Sequence, residues 1–313
     1  MRTINQQNKA VKATLPSQSS PDLGKKSLFE QITDKIISII EAGEAKGGIT
    51  WAGQAATAGM PINLKTGNAY QGINVLLLWA EAQDKGYSSP YWLTFNQAKE
   101  MGGNVRKGEK STTGIFWGAR QIEEEGDNGE TETRKSAFSK AFHVFNLDQI
   151  DGIAAPNTAP AGNEWNPLEA AETLIRRSGA RIIEGGTKAF YSPSKDEIHM
   201  PDRERFACAE NFYCVNLHEL THWTGHATRC VRDLRNRFGD EAYAMEELIA
   251  ELGAAFLAAE TGINGRMEGH ACYIKSWLNV LKNDPRAIIT AASKAGQAAR
   301  FLIDGPDVAR EAA

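Results

Sequence analysis

The chain has 313 residues, enough for two domains of ordinary size. Its net charge of −4 points to no polyanion partner through overall charge, and its 42% apolar and 24% charged residues exclude disordered and fibrous classes. No apolar run approaches membrane-spanning length. Cys208, Cys214, Cys230 and Cys272 form no C-x-x-C pair, so they read as reduced thiols of a cytoplasmic protein.

Residues 1–24, MRTINQQNKAVKATLPSQSSPDLG, are polar and lack the apolar centre of a secretory signal, so a flexible tail is expected. SLFEQITDKIISIIEAGE follows as an amphipathic helix, with Ser27 as N-cap and Leu28, Ile32, Ile36, Ile39 and Ile40 on one face. INVLLLWAEAQDKG reads as a buried helix ended by Gly86. WLTFNQAKEMGG has Thr94 as N-cap, Gln97 three residues later and a Gly-Gly stop. NVRKGEKSTTGIFWGARQIEEE predicts two strands joined by a glycine turn, and EEEGDNGETETRKS an acidic hairpin tip or loop. KAFHVFNLDQI is a last strand ending near Asp148.

The stretch from Ala154 to Pro167 is rich in Pro, Ala, Gly and Asn and has no period, so 154–164 is expected to be a linker. It separates a small α+β domain, 25–153, from a second domain, 165–307. The second opens with the helix PLEAAETLIRRSG and short strands at ARIIEGG, KAFYS and DEIHM. Helices then follow to the end, and Asp196 to Met200 is expected to be an edge strand lining a cleft. The fold class is α+β.

The stretch NLHELTHWTGH carries the chemistry. His218 and His222 are four apart, so on a helix both imidazoles reach one ion, and Glu219 beside them is placed to act as general base on water. Thr228 stands where the metzincin pattern requires a third histidine, so that pattern fails. His226 is an alternative ligand, although Gly225 stands ready to end the helix before it. The better source is AYAMEELIAELGAAFLAAE, whose apolar residues recur at helical spacing. Placed every 100°, Glu247 and Glu251 fall on one border of that apolar side and Glu246 on the other. Glu247 is assigned as ligand and Glu251 as the carboxylate behind a ligand imidazole, with the swap left open. The ordinary alternative is a solvated acidic helix edge. The ion expected is Zn2+, with Mn2+ as a substitute.

Aromatic and basic residues are interleaved in the first half. Trp51, Trp79, Trp92, Trp117, Tyr70, Tyr87, Tyr91 and Phe95 lie among Lys65, Lys85, Lys99, Arg106, Lys107 and Lys110. Such a mixture suits single-stranded nucleic acid, with bases stacked on rings and phosphates met by cations. Lys65, Tyr70, Trp92, Arg106, Lys107 and Lys110 are the candidate contacts. The competing reading packs the rings in the core, as the apolar run around Trp79 suggests.

PINLKTGNAYQGINVLLLW, YWLTFNQAKEMGGNVRKGEKSTTGIFW and HVFNLDQI resemble the N-terminal domain of ArdC-type antirestriction proteins, which also begins plasmid TraC-type primases. FYSPSKDEIHMPDRERF, LHELTHWTGH and YAMEELIAELGAAFL resemble the zincin-like metallopeptidase domain of the same family. The resemblance implies a single-stranded-DNA-binding domain joined to a metallopeptidase-like domain in a protein that protects incoming plasmid or phage DNA from host restriction. It implies a host restriction-related protein as substrate if the peptidase is active. A DNA-binding shield with an inert metal site and an intracellular peptidase with an accessory domain are the alternatives. No membrane partner is implied.

Overall fold

The structure is a computed structural model. It describes residues 26–44, 59–125, 131–156, 167–234, 240–263 and 271–305, with the backbone alone for 42–44, 119–125, 131–137, 167 and 271–273. The expected tail and most of the expected linker lie outside these residues.

Helix α1 (Leu28–Glu44) starts at the predicted cap. Ser27 Oγ accepts the Glu30 N–H at 3.2 Å, and the Glu30 carboxylate takes the Ser27 N–H at 2.6 Å. Strand β1 (Ile62–Asn63) precedes helix α2 (Ile73–Lys85), which ends where Gly86 turns left-handed at φ 70°. Strand β2 (Tyr91–Leu93) leads into helix α3 (Phe95–Glu100), capped reciprocally by Thr94 and Gln97. Strands β4 (Thr112–Glu125) and β5 (Thr131–Asn146) form a long antiparallel ribbon. The four-stranded sheet runs β1-β2-β5-β4.

Two strands joined by a glycine turn are present at 104–125, as expected. The two strands flanking the glycine turn do not pair with each other: β3 (Asn104–Val105) pairs with β6 (Ile150–Asp151). The turn between them is pinned elsewhere, because the Arg106 N–H donates to the Gln149 carbonyl at 3.0 Å and Gln149 Nε2 donates to the Lys110 carbonyl at 2.9 Å. The acidic segment lies at the far end of the β4–β5 hairpin, as expected, with Glu125 paired to Thr131.

The second half contains α4 (Pro167–Ser178), β7 (Arg181–Glu184), β8 (Phe190–Ser192), β9 (Glu197–Met200), α5 (Ala209–Thr224), α6 (Glu241–Thr261), α7 (Ala271–Asn283) and α8 (Ala287–Asp304). The sheet order is β7-β9-β8, so Asp196 to Met200 is the centre of the sheet and not its edge. Glu197, Ile198 and Met200 are all buried, the pattern of a strand covered on both faces. The edge strand beside α5 is β8.

One apolar cluster draws on both halves of the chain. Ile32, Ile36 and Ile40 of α1 and Leu76 and Trp79 of α2 belong to one apolar cluster with Leu252, Phe256, Trp277 and Ile288. The Trp79 ring lies 5.9 Å from that of Phe256, and Thr33 Oγ1 donates to the Pro285 carbonyl at 2.7 Å. Helices α1 and α2 thus complete the helical layer around α6. Among the described residues, no helix is long and apolar enough to cross a membrane.

Candidate metal centre

Helix α5 ends at Gly225, which takes the C-cap with φ −71°. His218, Glu219 and His222 therefore sit in its last two turns, facing α6. The helices come close because Gly253 of α6 leaves room for Thr221. A Cβ at Gly253 would stand 2.5 Å from Thr221 Cγ2, nearer than packed carbons approach. Thr221 returns its hydroxyl to the Leu217 carbonyl at 2.8 Å and leaves no polar group unmet at the crossing.

His218 Nε2 lies 3.2 Å from His222 Nε2, 3.5 Å from Glu247 Oε2, and His222 Nε2 lies 3.6 Å from Glu247 Oε1. One atom each of His218, His222 and Glu247 fall within 4.8 Å of one another. Both imidazole side chains are only 12% exposed and Glu247 is 9% exposed. The opposite ring nitrogens face carboxylates. His222 Nδ1 is 3.1 Å from Glu246 Oε1, and His218 Nδ1 is 3.8 Å from Glu251 Oε2. A proton on each Nδ1 leaves both Nε2 lone pairs aimed at one point beside an anionic oxygen. Two neutral imidazoles and a carboxylate form the donor set of a divalent zincin-type cation, and the residues fit such an ion.

The electrostatics follow. Burial alone would lower the His218 pKa, but Glu247 and Glu251 outweigh it and push it up to about 10. Burial would raise the Glu247 carboxyl, yet hydrogen bonding to His218 and the charge of His222 bring it down to about 2. For Glu219 burial wins, and its carboxyl is raised despite the two histidines and the backbone N–H of Tyr191 in β8.

Glu246 is the residue that the sequence placed on the wrong border. Helix α6 is buried nearly all round, so it has no solvated edge in this region. Glu246 is inside, held by His222 and by Arg232, whose Nε reaches Oε2 at 3.0 Å and whose Nη2 reaches Oε1 at 2.9 Å. Arg232 also donates to Thr224 Oγ1 at 2.9 Å and to the Thr221 carbonyl at 2.5 Å. Burial works against the Glu246 anion, but His222 and Arg232 hold its carboxyl below the ordinary value. No spacing rule ties an arginine ten residues past His222 to this site. His226 lies beyond the helix and bonds Thr228 Oγ1 through Nδ1 at 2.9 Å.

The candidate DNA contacts have different surroundings. Trp92 is 1% exposed and packs with Leu78, Ala82 and Val144, so it offers no face to a base. Tyr70 accepts from Asn63 at 3.2 Å and stacks on Phe142. Lys65 pairs with Glu100. Arg106 pairs with Glu109 at 3.1 Å and donates to the Asp148 carbonyl, while Lys107 and Lys110 are exposed. Among the described residues Cys208 is exposed, Cys214 buried and Cys230 partly buried, with no disulfide between them, and the side chain of Cys272 is outside the described residues.

Residues 26–145 match the family defined by the N-terminal domain of the anti-restriction factor ArdC, and residues 169–294 match the zincin-like metallopeptidase family. The chain is 38% identical to protein y4eC of Sinorhizobium fredii over 88% of this chain and 91% of that protein. It is 37% identical to the DNA primase TraC of Escherichia coli over 89% of this chain but only 27% of the primase. Crystal structures of the antirestriction protein ArdC from the R388 plasmid are similar at 40% identity. The metal-free form has a TM-score of 0.73, covering 89% of this chain and 97% of that one. The Mn(II)-bound form has a TM-score of 0.72, covering 89% and 98%. The helix pair described above lies within the zincin-like segment, and the chain belongs to the ArdC family of antirestriction proteins.

Proposed function

We propose that this protein binds single-stranded DNA through its N-terminal half, holds one Zn2+ (with Mn2+ as a substitute) on His218, His222 and Glu247, and protects incoming plasmid or phage DNA from host restriction in the cytoplasm. Its protein substrate is a host restriction-related factor. The convergence of His218 Nε2, His222 Nε2 and the Glu247 carboxylate beside Glu219 carries the peptidase reading. The ArdC family and the primase similarity support the DNA reading.

When bound, such an ion acidifies water and polarises a carbonyl oxygen. The chain's own residues do the rest. Glu246 and Glu251 keep the imidazoles turned with Nε2 inward. Glu219, raised by burial and held by the Tyr191 N–H, takes a proton from the attacking water and passes it to the leaving amine. Edge strand β8 places its backbone beside that carboxylate, where an extended peptide would lie. Exposed Lys107 and Lys110 lie on the turn after β3, free to meet phosphates.

The test combines metal analysis with a transformation-protection assay on Glu219→Gln. Retained metal with lost protection is the expected result. Full protection by Glu219→Gln would make the protein a DNA shield whose metal site is not catalytic. Loss of the ion would make Glu219 a ligand.

A further inference from the structure

On the β4–β5 ribbon, Thr112, Gly114, Phe116 and Gly118 lie opposite Val144, Phe142, Lys140 and Phe138. Directly paired residues share a face, so these side chains form one surface. It begins in the core. Val144 is fully buried with Leu78 and Ala82 of α2, and Phe142 is half-buried, with Tyr70 stacked on it at 6.2 Å and an interplanar angle of 12°. It ends in solvent, where Phe116 is 55% exposed and Phe138 is 38% exposed, their rings 6.2 Å apart.

Two glycines set how the rings lie. A Cβ at Gly114 would stand 2.4 Å from Phe142 Cζ, and one at Gly118 would stand 2.5 Å from Phe138 Cζ. Each phenylalanine therefore lies across the bare backbone of the glycine opposite. A ring laid down in this way turns its flat face away from the sheet. The single charged residue among these positions is Lys140, exposed and directly opposite Phe116. Trp117 points to the other face and stacks on Phe29 of α1 at 5.9 Å, which ties the ribbon to the helical layer.

We infer that the exposed end of this ridge, Phe116 and Phe138 with Lys140, is the surface on which single-stranded DNA stacks, with Phe142 and Tyr70 bracing it from the core. The inference rests on the proposed DNA binding and assigns it a place. Flat rings accept any base, and the cation between them meets a phosphate. A second copy is the weaker occupant. A two-fold contact through this ridge would bring Lys140 towards its own mate, burying like charges. None of these ridge residues except Tyr70 stood out in the sequence, because Gly-x-Phe-x-Gly reads as an ordinary ribbon until the register pairs it.

The experiment is fluorescence anisotropy of the full chain with a labelled oligo-dT, beside a duplex control and sedimentation of the protein alone. The Phe116→Ala/Phe138→Ala variant removes exposed rings, so its thermal midpoint should stay near that of the parent. Its affinity for oligo-dT should fall roughly tenfold or more, the scale of one lost stacking partner. Phe116→Trp should restore binding where Phe116→Ala loses it. Gly118→Val, which forces the Phe138 ring up, should weaken it. Lys140→Gln should reduce the salt slope by somewhat under one. If the parent binds and the double variant binds equally well, the ridge is not the surface, while DNA binding by this protein stands. If the parent does not bind oligo-dT, the DNA reading fails and the ridge with it. If the double variant loses only self-association, the ridge is a contact between copies and the inference is overturned.

Discussion

The α5–α6 pair and the β4–β5 ribbon both depend on a glycine that lets a neighbour come too close for a Cβ. At Gly253 the neighbour is Thr221, and the closeness brings two histidines and three carboxylates into a largely buried space. At Gly114 and Gly118 the neighbours are phenylalanine rings, and the closeness lays them flat while leaving the outer ones in solvent. The first arrangement concentrates charge in a low dielectric, where each hydrogen bond is strong and each missing partner costs heavily. The second offers apolar area without commitment to one ligand. One region should therefore be intolerant of single changes, and the other should lose function in graded steps.

The sharpest way to break the contrast is to remove a ligand. His218→Ala or His222→Ala should abolish stoichiometric metal binding, read by elemental analysis after gel filtration. Oligonucleotide affinity should be unchanged, because the ribbon meets the helix pair through the apolar core to which Ile115 belongs. Metal retained by both variants would dismantle the site. Arg232→Met comes next. It leaves the Glu246 carboxylate buried without its guanidinium, a loss of about 3–5 kcal/mol for breaking a buried pair. A thermal midpoint close to that of the parent would show that water reaches Glu246.

A smaller effect tests how the imidazoles are held. Glu246→Gln and Glu251→Gln should each weaken metal binding by roughly 10 to 100-fold in a chelator competition, since each holds the far nitrogen of one ligand histidine. Glu247→Gln should cost more than either. Were Glu251→Gln the most damaging, the ligand and supporting roles would be exchanged.

The ends of elements and the HExxH face were legible because they rest on local rules. Ser27, Thr94 and Gly86 act where their chemistry put them. The third side of the site was half legible. A helical wheel orders residues around one axis but assumes a dry side and a wet one. Helix α6 has no wet side near its glutamates, so Glu246 moved from a border to the interior. Trp92 and Arg106 show a related limit. Composition cannot say whether a ring or a cation is already engaged by its own fold, and these are. The β3–β6 pairing and the contact of α1 with α7 and the turn that follows it join residues far apart in the chain, which no local pattern encodes.

The smallest effect concerns the proton that takes the place of the ion. In the metal-free protein the His218 pKa is raised to about 10, while an unfolded histidine titrates near 6.5. A raised folded value means that the stability it contributes is fully present below about pH 6.5 and is lost as the pH rises through about 10. The metal-bound protein should behave in the opposite sense. The ion needs the neutral imidazole, so its binding releases that proton, and affinity should rise by about tenfold per pH unit across the same window. Thermal midpoints measured with a chelator and with excess ion should therefore separate further at pH 9 than at pH 7. A gap that stays constant with pH would mean that no proton is exchanged at His218, and that the two Nε2 atoms face each other for some reason other than a shared cation.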